Sequence, residues 1–99
     1  MLQIIALIKV KSEIDFVAFE SKALNIIRKY NGKLISAFKP NNLISTLDVY
    51  DEIHILEFLD MKSFEAYQSD KELKSLMELK QKGTEMMDVV FSEKPVSYS

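Results

Sequence analysis

His54 is the one histidine in the sequence, and histidine is the side chain whose ordinary pKa lies nearest neutrality. Glu52 stands two positions before it. In an extended strand, residues i and i+2 project from one face, about 7 Å apart at Cα. A carboxylate so placed could orient the imidazole as a general base, as proton abstraction beside a carbonyl would need. The same pair also suits a structural histidine, hydrogen-bonded inside a barrel or at a dimer seam. Tyr50, Ser36 and Glu57 are the further ligand-binding candidates. Tyr50 either guards a cleft mouth or is an ordinary cross-strand aromatic. Ser36, on a neighbouring strand, either donates a hydrogen bond into a cleft or fills space. Glu57 and Asp88 are acids on otherwise apolar strand faces; if buried, each needs a partner or a raised pKa, and at strand ends each is simply solvated. Met86 and Met87 either line an adaptable apolar pocket or pack at the sheet edge.

Several kinds of chemistry are excluded. There is no Cys, hence no disulfide frame, thiolate nucleophile or thiolate metal site. A single His excludes the multi-histidine metal sites within one chain. No phosphate loop, nucleophile elbow or zinc spacing is present. An enzyme built from this sequence would therefore use no tightly held cofactor. The net charge is −2 and the 13 basic residues are scattered, which argues against a nucleic-acid backbone as partner. The apolar run Leu2–Ile8 is too short to span a membrane and has no basic stretch before it. It reads as a strand, and the expected location is the cytoplasm.

The elements that must position these residues are legible from periodicity. Leu2–Val10 is apolar on both faces, with Ile4, Ala6 and Ile8 pointing one way and Ile5 and Leu7 the other. That marks a central strand covered on both sides. Ser12–Tyr30 is an amphipathic helix with Phe16, Phe19, Ala23, Ile26, Ile27 and Tyr30 on its stripe and Glu20 outside it. Ser12 is its N-cap, and Asn31-Gly32 ends it, Gly taking the left-handed position. Lys33–Lys39 is a second strand, stopped by Pro40. Asn41–Asp48 is a loop or a wide hairpin end. Val49–Leu59 is a third strand, with Tyr50, Glu52, His54, Leu56 and Phe58 on one face and Asp51, Ile53, Ile55 and Glu57 on the other. Asp60 caps a helix carrying Phe64 and Tyr67 inward. Ser69-Asp70-Lys71-Glu72 has the form of a capping box and predicts a kink or restart. The stripe then continues through Leu73, Leu76, Met77 and Lys80 to Gly83. Thr84–Ser92 is the last strand, with Met87, Val89 and Phe91 on one face, and Glu93–Ser99 is a polar tail.

Strand–helix–strand thus occurs twice within 99 residues, which have room for one domain spanning 1–99. The order is that of a ferredoxin-like βαββαβ fold of the α+β class. Right-handed crossovers put both helices on one face of a four-stranded antiparallel sheet, with the first and third strands central. The other face, on the order of 300 Å², is then left apolar and bare. Burying it on two copies removes on the order of 600 Å², or roughly 15 kcal/mol gross, against an association cost of about 4–15 kcal/mol. A sheet-to-sheet homodimer is expected, helped by the Pro40–Asp48 loop and the tail. A monomer with a ligand cleft on that face is the alternative.

Four segments carry a family likeness: Lys22-Ala23-Leu24, Tyr30-Asn31-Gly32-Lys33-Leu34, Asp51 to Phe58, and Phe64-Glu65-Ala66-Tyr67. Together they resemble the dimeric α+β barrel superfamily. Within it they are similar to a short bacterial family of unknown function, whose strand ends in Glu-Phe and is followed by Phe-x-x-Tyr on a helix. The resemblance covers nearly the whole chain and implies paired sheets with helices outside, that is, a dimeric α/β barrel. The superfamily includes cofactor-free monooxygenases of aromatic polyketides, muconolactone isomerases, haem enzymes and stress-related binding proteins, so the likeness alone selects no activity. Against the haem-degrading branch, this chain has no Trp and its His falls on a strand.

Three functions follow as expectations. The first is a barrel that binds a small apolar or aromatic metabolite, between sheet and helices or between paired sheets. The second is a cofactor-independent monooxygenase or isomerase with His54 as general base. The third is a structural partner-binding module, which a barrel filled by its own side chains would favour.

Overall fold

The alternation within the first strand decides the layering. In the computed structural model, which describes residues 1–98, Leu2–Val10 forms β1 with Leu2, Ile4, Ala6 and Ile8 buried and Gln3 and Ile5 exposed on the opposite side. β1 pairs antiparallel with β3 (Glu52–Phe58) and with β4 (Thr84–Ser92), and β2 (Lys33–Phe38) pairs with β3. The sheet order is β2-β3-β1-β4. This is the ferredoxin-like arrangement, with the first and third strands central as right-handed crossovers require. In its register Ala6 faces His54, while Ile5 faces Ile55 on one side and Val90 on the other.

The first crossover is α1 (Glu13–Ile27), followed by a 3₁₀ turn at Arg28–Tyr30. Ser12 caps α1, its Oγ accepting from the Asp15 N–H at 3.4 Å, and Phe16, Phe19, Ala23, Ile26 and Ile27 are buried against the sheet. The left-handed residue after the turn is Asn31, at φ 61°, and not Gly32 as the sequence suggested. Asparagine tolerates this region better than most side chains. Gly32 is needed for space, since a Cβ there would lie 2.8 Å from the Phe58 ring and 2.9 Å from the Ile27 carbonyl.

The second crossover breaks into three helices: α2 (Met61–Gln68), α3 (Lys71–Ser75) and α4 (Met77–Gly83). Asp60 caps α2, accepting from Ser63 N–H at 2.8 Å. The restart occurs where expected, but its cap is Asp70 rather than Ser69. Asp70 Oδ1 accepts from Leu73 N–H at 2.9 Å, while Oδ2 accepts from the Tyr30 hydroxyl at 2.5 Å. Ser69 instead closes α2, its N–H reaching the Glu65 and Ala66 carbonyls. A tertiary bond to Tyr30 thus accompanies the cap at Asp70. The end of α4 lies against the start of α1: the Gly83 carbonyl accepts from Lys11 N–H at 2.8 Å, and a Cβ on Gly83 would sit 2.4 Å from the Phe16 nitrogen.

β3 begins at Glu52, three residues later than expected. At this end the Asp51 carboxylate accepts the Val10 N–H at 2.8 Å while the Asp51 N–H still donates to the Ile8 carbonyl at 2.8 Å, so side chain and backbone together close the ladder. β2 likewise stops at Phe38, one residue before the expected end. The loop between them exposes Leu43, Ile44 and Leu47. Glu93–Tyr98 is in neither helix nor strand, and Ser99 of the expected tail falls outside the described residues.

All helices lie on one side, so the molecule is a slab 39 × 39 × 16 Å. Its bare face carries Ile5, Leu7, Phe38, Ile53, Ile55, Met86 and Val90, as the register places them.

Asp70 gives a pH test. The Tyr30 hydroxyl, then the Leu73 N–H, hold its carboxyl below the usual carboxylate range. A carboxyl lowered on folding stabilises above its unfolded pKa and loses that contribution as pH falls through the folded value. Asn caps as well as Asp does. Asp70→Asn is therefore expected to keep the cap and flatten the acid limb of the stability curve below about pH 4, read as urea midpoints across a pH series.

Candidate functional site

The pleat of β3 sends Glu52, His54, Leu56 and Phe58 toward the helices, and the small Ala6 beside His54 leaves room under them. His54 is 4% exposed. Its Nε2 lies 2.8 Å from Glu52 Oε1, and its Nδ1 lies 3.5 Å from Glu20 Oε2 on α1. The expected Glu52–His54 pair is thus formed, and a second carboxylate, absent from the sequence reading, closes on the other ring nitrogen. The Phe16 ring packs at 6.2 Å from the imidazole, centroid to centroid.

Glu20 is the main correction. The sequence reading left it outside the buried stripe, yet Phe16, Glu20, Ala23 and Ile27 follow 4-3-4 spacing and share one side of α1. An acid on an apolar stripe was the available signal. Burial pushes its carboxyl above the ordinary glutamate value; Glu52 adds to this, while His54 and Lys80 oppose it. Tyr67 on α2 is affected similarly, with burial first, then Glu20 and Asp70, raising its phenol to about 12.

These groups border a cavity of about 280 Å³ between sheet and helices. Its walls are chiefly apolar, from Ile4, Ala6, Leu56 and Phe58 on the sheet to Phe19 and Phe64 on the helices. Glu20, His54, Tyr67, Gln68 and Lys80 supply its polar atoms. The Lys80 ammonium lies 5.9 Å from the centre of the Phe19 ring. Met87 lines the same cavity, whereas Met86 is on the bare face, opposite Lys9.

The other three ligand-binding candidates lie away from this cavity. Ser36 is opposite Ile55, and Glu57 is opposite Gln3 and Lys33, all on the bare face of the sheet. Tyr50 precedes β3, so the strand alternation does not extend back to it. Its hydroxyl donates to the carboxylate of Asp88, which β1–β4 pairing puts beside Leu7 on the bare face. That bond raises the Tyr50 phenol above its usual value; Asp88 itself is exposed, the solvated alternative of the sequence reading. Among the described residues no group of His, Asp and Glu is arranged to hold a metal ion, and no helix is long and apolar enough to cross a membrane.

Residues 3–94 match a domain of unknown function, DUF1330. The chain belongs to the DUF1330 family. No curated protein matches the sequence. Solved structures share the fold of this DUF1330 chain. One is a protein of unknown function from Rhodopseudomonas palustris, 13% identical, with TM-score 0.84 over 97% of this chain and 83% of that one. Another is a dabb family protein with a ferredoxin-like fold from Mesorhizobium loti, 13% identical, with TM-score 0.72 over 97% of both chains. A third is SnoaB, a cofactor-independent oxygenase from Streptomyces nogalater, 6% identical, with TM-score 0.70 over 97% of this chain and 94% of that one. At such identities the likeness is one of fold.

The raised Glu20 carboxyl sets a sign for stability. The folded DUF1330 chain holds this proton to higher pH than the unfolded chain does. Stability is therefore expected to fall as pH rises from about 4.3, the unfolded glutamate value, through the raised folded value. Glu20→Gln removes that descent, and urea midpoints of the two proteins across the same range measure it.

Proposed function

We propose that this chain binds a small apolar or aromatic molecule in the cavity between its sheet and its helices. The observation that carries this reading is a space of about 280 Å³ with apolar walls and a few converging polar groups, the form of a small-molecule site. An apolar cavity of about 150 Å³ takes up benzene, so about two fused rings fit here. A fold filled by its own side chains would have favoured a structural module instead. Naphthalene should bind, detected by its fluorescence. Ala23 lines the cavity, and Ala23→Leu should fill the space and weaken naphthalene roughly tenfold or more, while leaving the melting temperature unchanged or higher. Undiminished binding by a folded Ala23→Leu protein counts against this site.

A catalytic reading has one observation in its favour, the 2.8 Å contact between His54 and Glu52 at the edge of the same cavity. It suits a cofactor-independent monooxygenase or isomerase in which His54 takes a proton from carbon. SnoaB, of like fold, is a cofactor-independent oxygenase. The protein should then speed deuterium exchange beside the carbonyl of 2-tetralone, as followed by proton NMR. His54→Ala should lose at least about a hundredfold of that rate, the usual scale of general-base catalysis.

The same chain acts, in this reading, as a homodimer joined through the bare sheet face. It exposes 6827 Å², whereas a folded monomer of 11.4 kDa exposes about 5,800 Å². The excess of about 1,000 Å² compares with the roughly 800 Å² that each partner contributes to a standard interface. Ile5, 38% exposed, lies between Ile55 and Val90 on this face. Light scattering should give twice the chain mass for the natural protein and a single chain mass for Ile5→Glu. A dimeric Ile5→Glu protein would place the seam elsewhere.

A further inference from the structure

His54 is less open to a ligand's polar group than its neighbour Glu20. Both ring nitrogens already face carboxylates, Nε2 at 2.8 Å from Glu52 and Nδ1 at 3.5 Å from Glu20. Its side chain is 5% exposed, against 16% for Glu20. Glu20 is the member of this chain of three that lines the cavity with uncommitted acceptor capacity. Among the described residues it makes no hydrogen bond closer than its 3.5 Å contact with His54. Glu52 is not part of the lining.

What surrounds Glu20 narrows the ligand. From β3 come His54 and Glu52, from α2 the Tyr67 phenol, and from α4 the Lys80 ammonium. Lys80 lines the same cavity, lies over Phe19, and forms no ion pair among the described residues. An acceptor carboxylate thus stands near a cation within apolar walls. That combination suits a hydroxyl that leans its proton toward the carboxylate while its own oxygen gains negative charge, which Lys80 steadies. A saturated alcohol gains little charge in this way, whereas a hydroxyl on an aromatic ring spreads it.

We propose that Glu20 is the side chain that contacts the ligand's polar group, that His54 positions it from behind, and that the ligand is an aromatic compound bearing a weakly acidic hydroxyl. This rests on the cavity being the binding site. Naphthalene and 2-naphthol separate the two claims, because they differ only in the hydroxyl. Titrated above the pH at which Glu20 loses its proton, a hydrogen bond to its carboxylate implies roughly a tenfold preference for 2-naphthol.

The test is the ratio of the two affinities, by fluorescence titration, for the natural protein and for Glu20→Gln and His54→Ala. The expected result is that Glu20→Gln, which exchanges a charged acceptor for a neutral one, lowers the ratio of 2-naphthol to naphthalene affinity severalfold, while His54→Ala retains a preference. Carbon-13 NMR of the natural protein is the second readout. The Glu20 carboxyl resonance should move on adding 2-naphthol and stay in place on adding naphthalene, whether or not the Gln variant folds. An undiminished preference in Glu20→Gln overturns the proposal and leaves the cavity reading intact, as does a Glu20 resonance unmoved at saturating 2-naphthol. Loss of the preference in His54→Ala alone overturns it as well, by making the imidazole the contact. If neither probe binds, the cavity reading fails and the proposal falls with it.

Discussion

A four-stranded sheet has two faces, and this chain supplies helices for one. That asymmetry governs most of the structure. The covered face demands apolar residues at Leu2, Ile4, Ala6 and Ile8, and at Phe58 across the register. It also draws Phe16, Phe19, Ala23 and Ile27 of α1 down onto the strands. The opposite face keeps Ile5, Ile53 and Ile55 with no helix above them. Apolar surface of that extent in a small protein calls for a covering. Because β1 is central, neither face can change without the other, since a register slip of one residue would exchange them.

The covered layer is not uniformly apolar. His54 sits between two carboxylates, Glu52 on its own strand and Glu20 on α1, and ionised groups in such a place must be paired to be tolerated. Glu20 feels burial more than any neighbouring charge, which is why its carboxyl holds its proton longer than usual. The small side chains of Ala6 and Ala23 leave space beside this cluster that larger residues would have filled. Polarity and emptiness therefore occur together, between the sheet and the helices.

The strands and the first helix were readable because burial repeats with period two or with the helical period, and both patterns are strong here. So was the break after Ser69, since cap residues announce a new start. What could not be read depended on contacts between distant segments. Asp70 rather than Ser69 caps α3 in a structure where Tyr30 also reaches that carboxylate. Asn31 rather than Gly32 turns left-handed, and Gly32 is required by a ring that arrives from Phe58. Tyr50 lies before the start of β3, where the Asp51 carboxylate takes the Val10 N–H, so the alternation does not carry it onto the face of His54. Of the candidate site, Glu52 and His54 were legible from their spacing. Glu20 was legible in principle, from its place on the apolar side of α1, but its charge assigned it to solvent.

The register of β1 also bears on how the protein is made. Gln3 ends opposite Ser92, and Ile4 opposite Leu56 and Phe91. The first strand of this fold therefore waits for the last before its hydrogen bonds are complete. Until β3 forms, Leu2–Ile8 is an uncharged, strand-prone segment with two open edges, and until β4 forms it keeps one, the kind that pairs with other chains. Long-range pairing of this kind also slows folding. Lys9 and Lys11, the charges that follow this segment, stand where they discourage such encounters during synthesis.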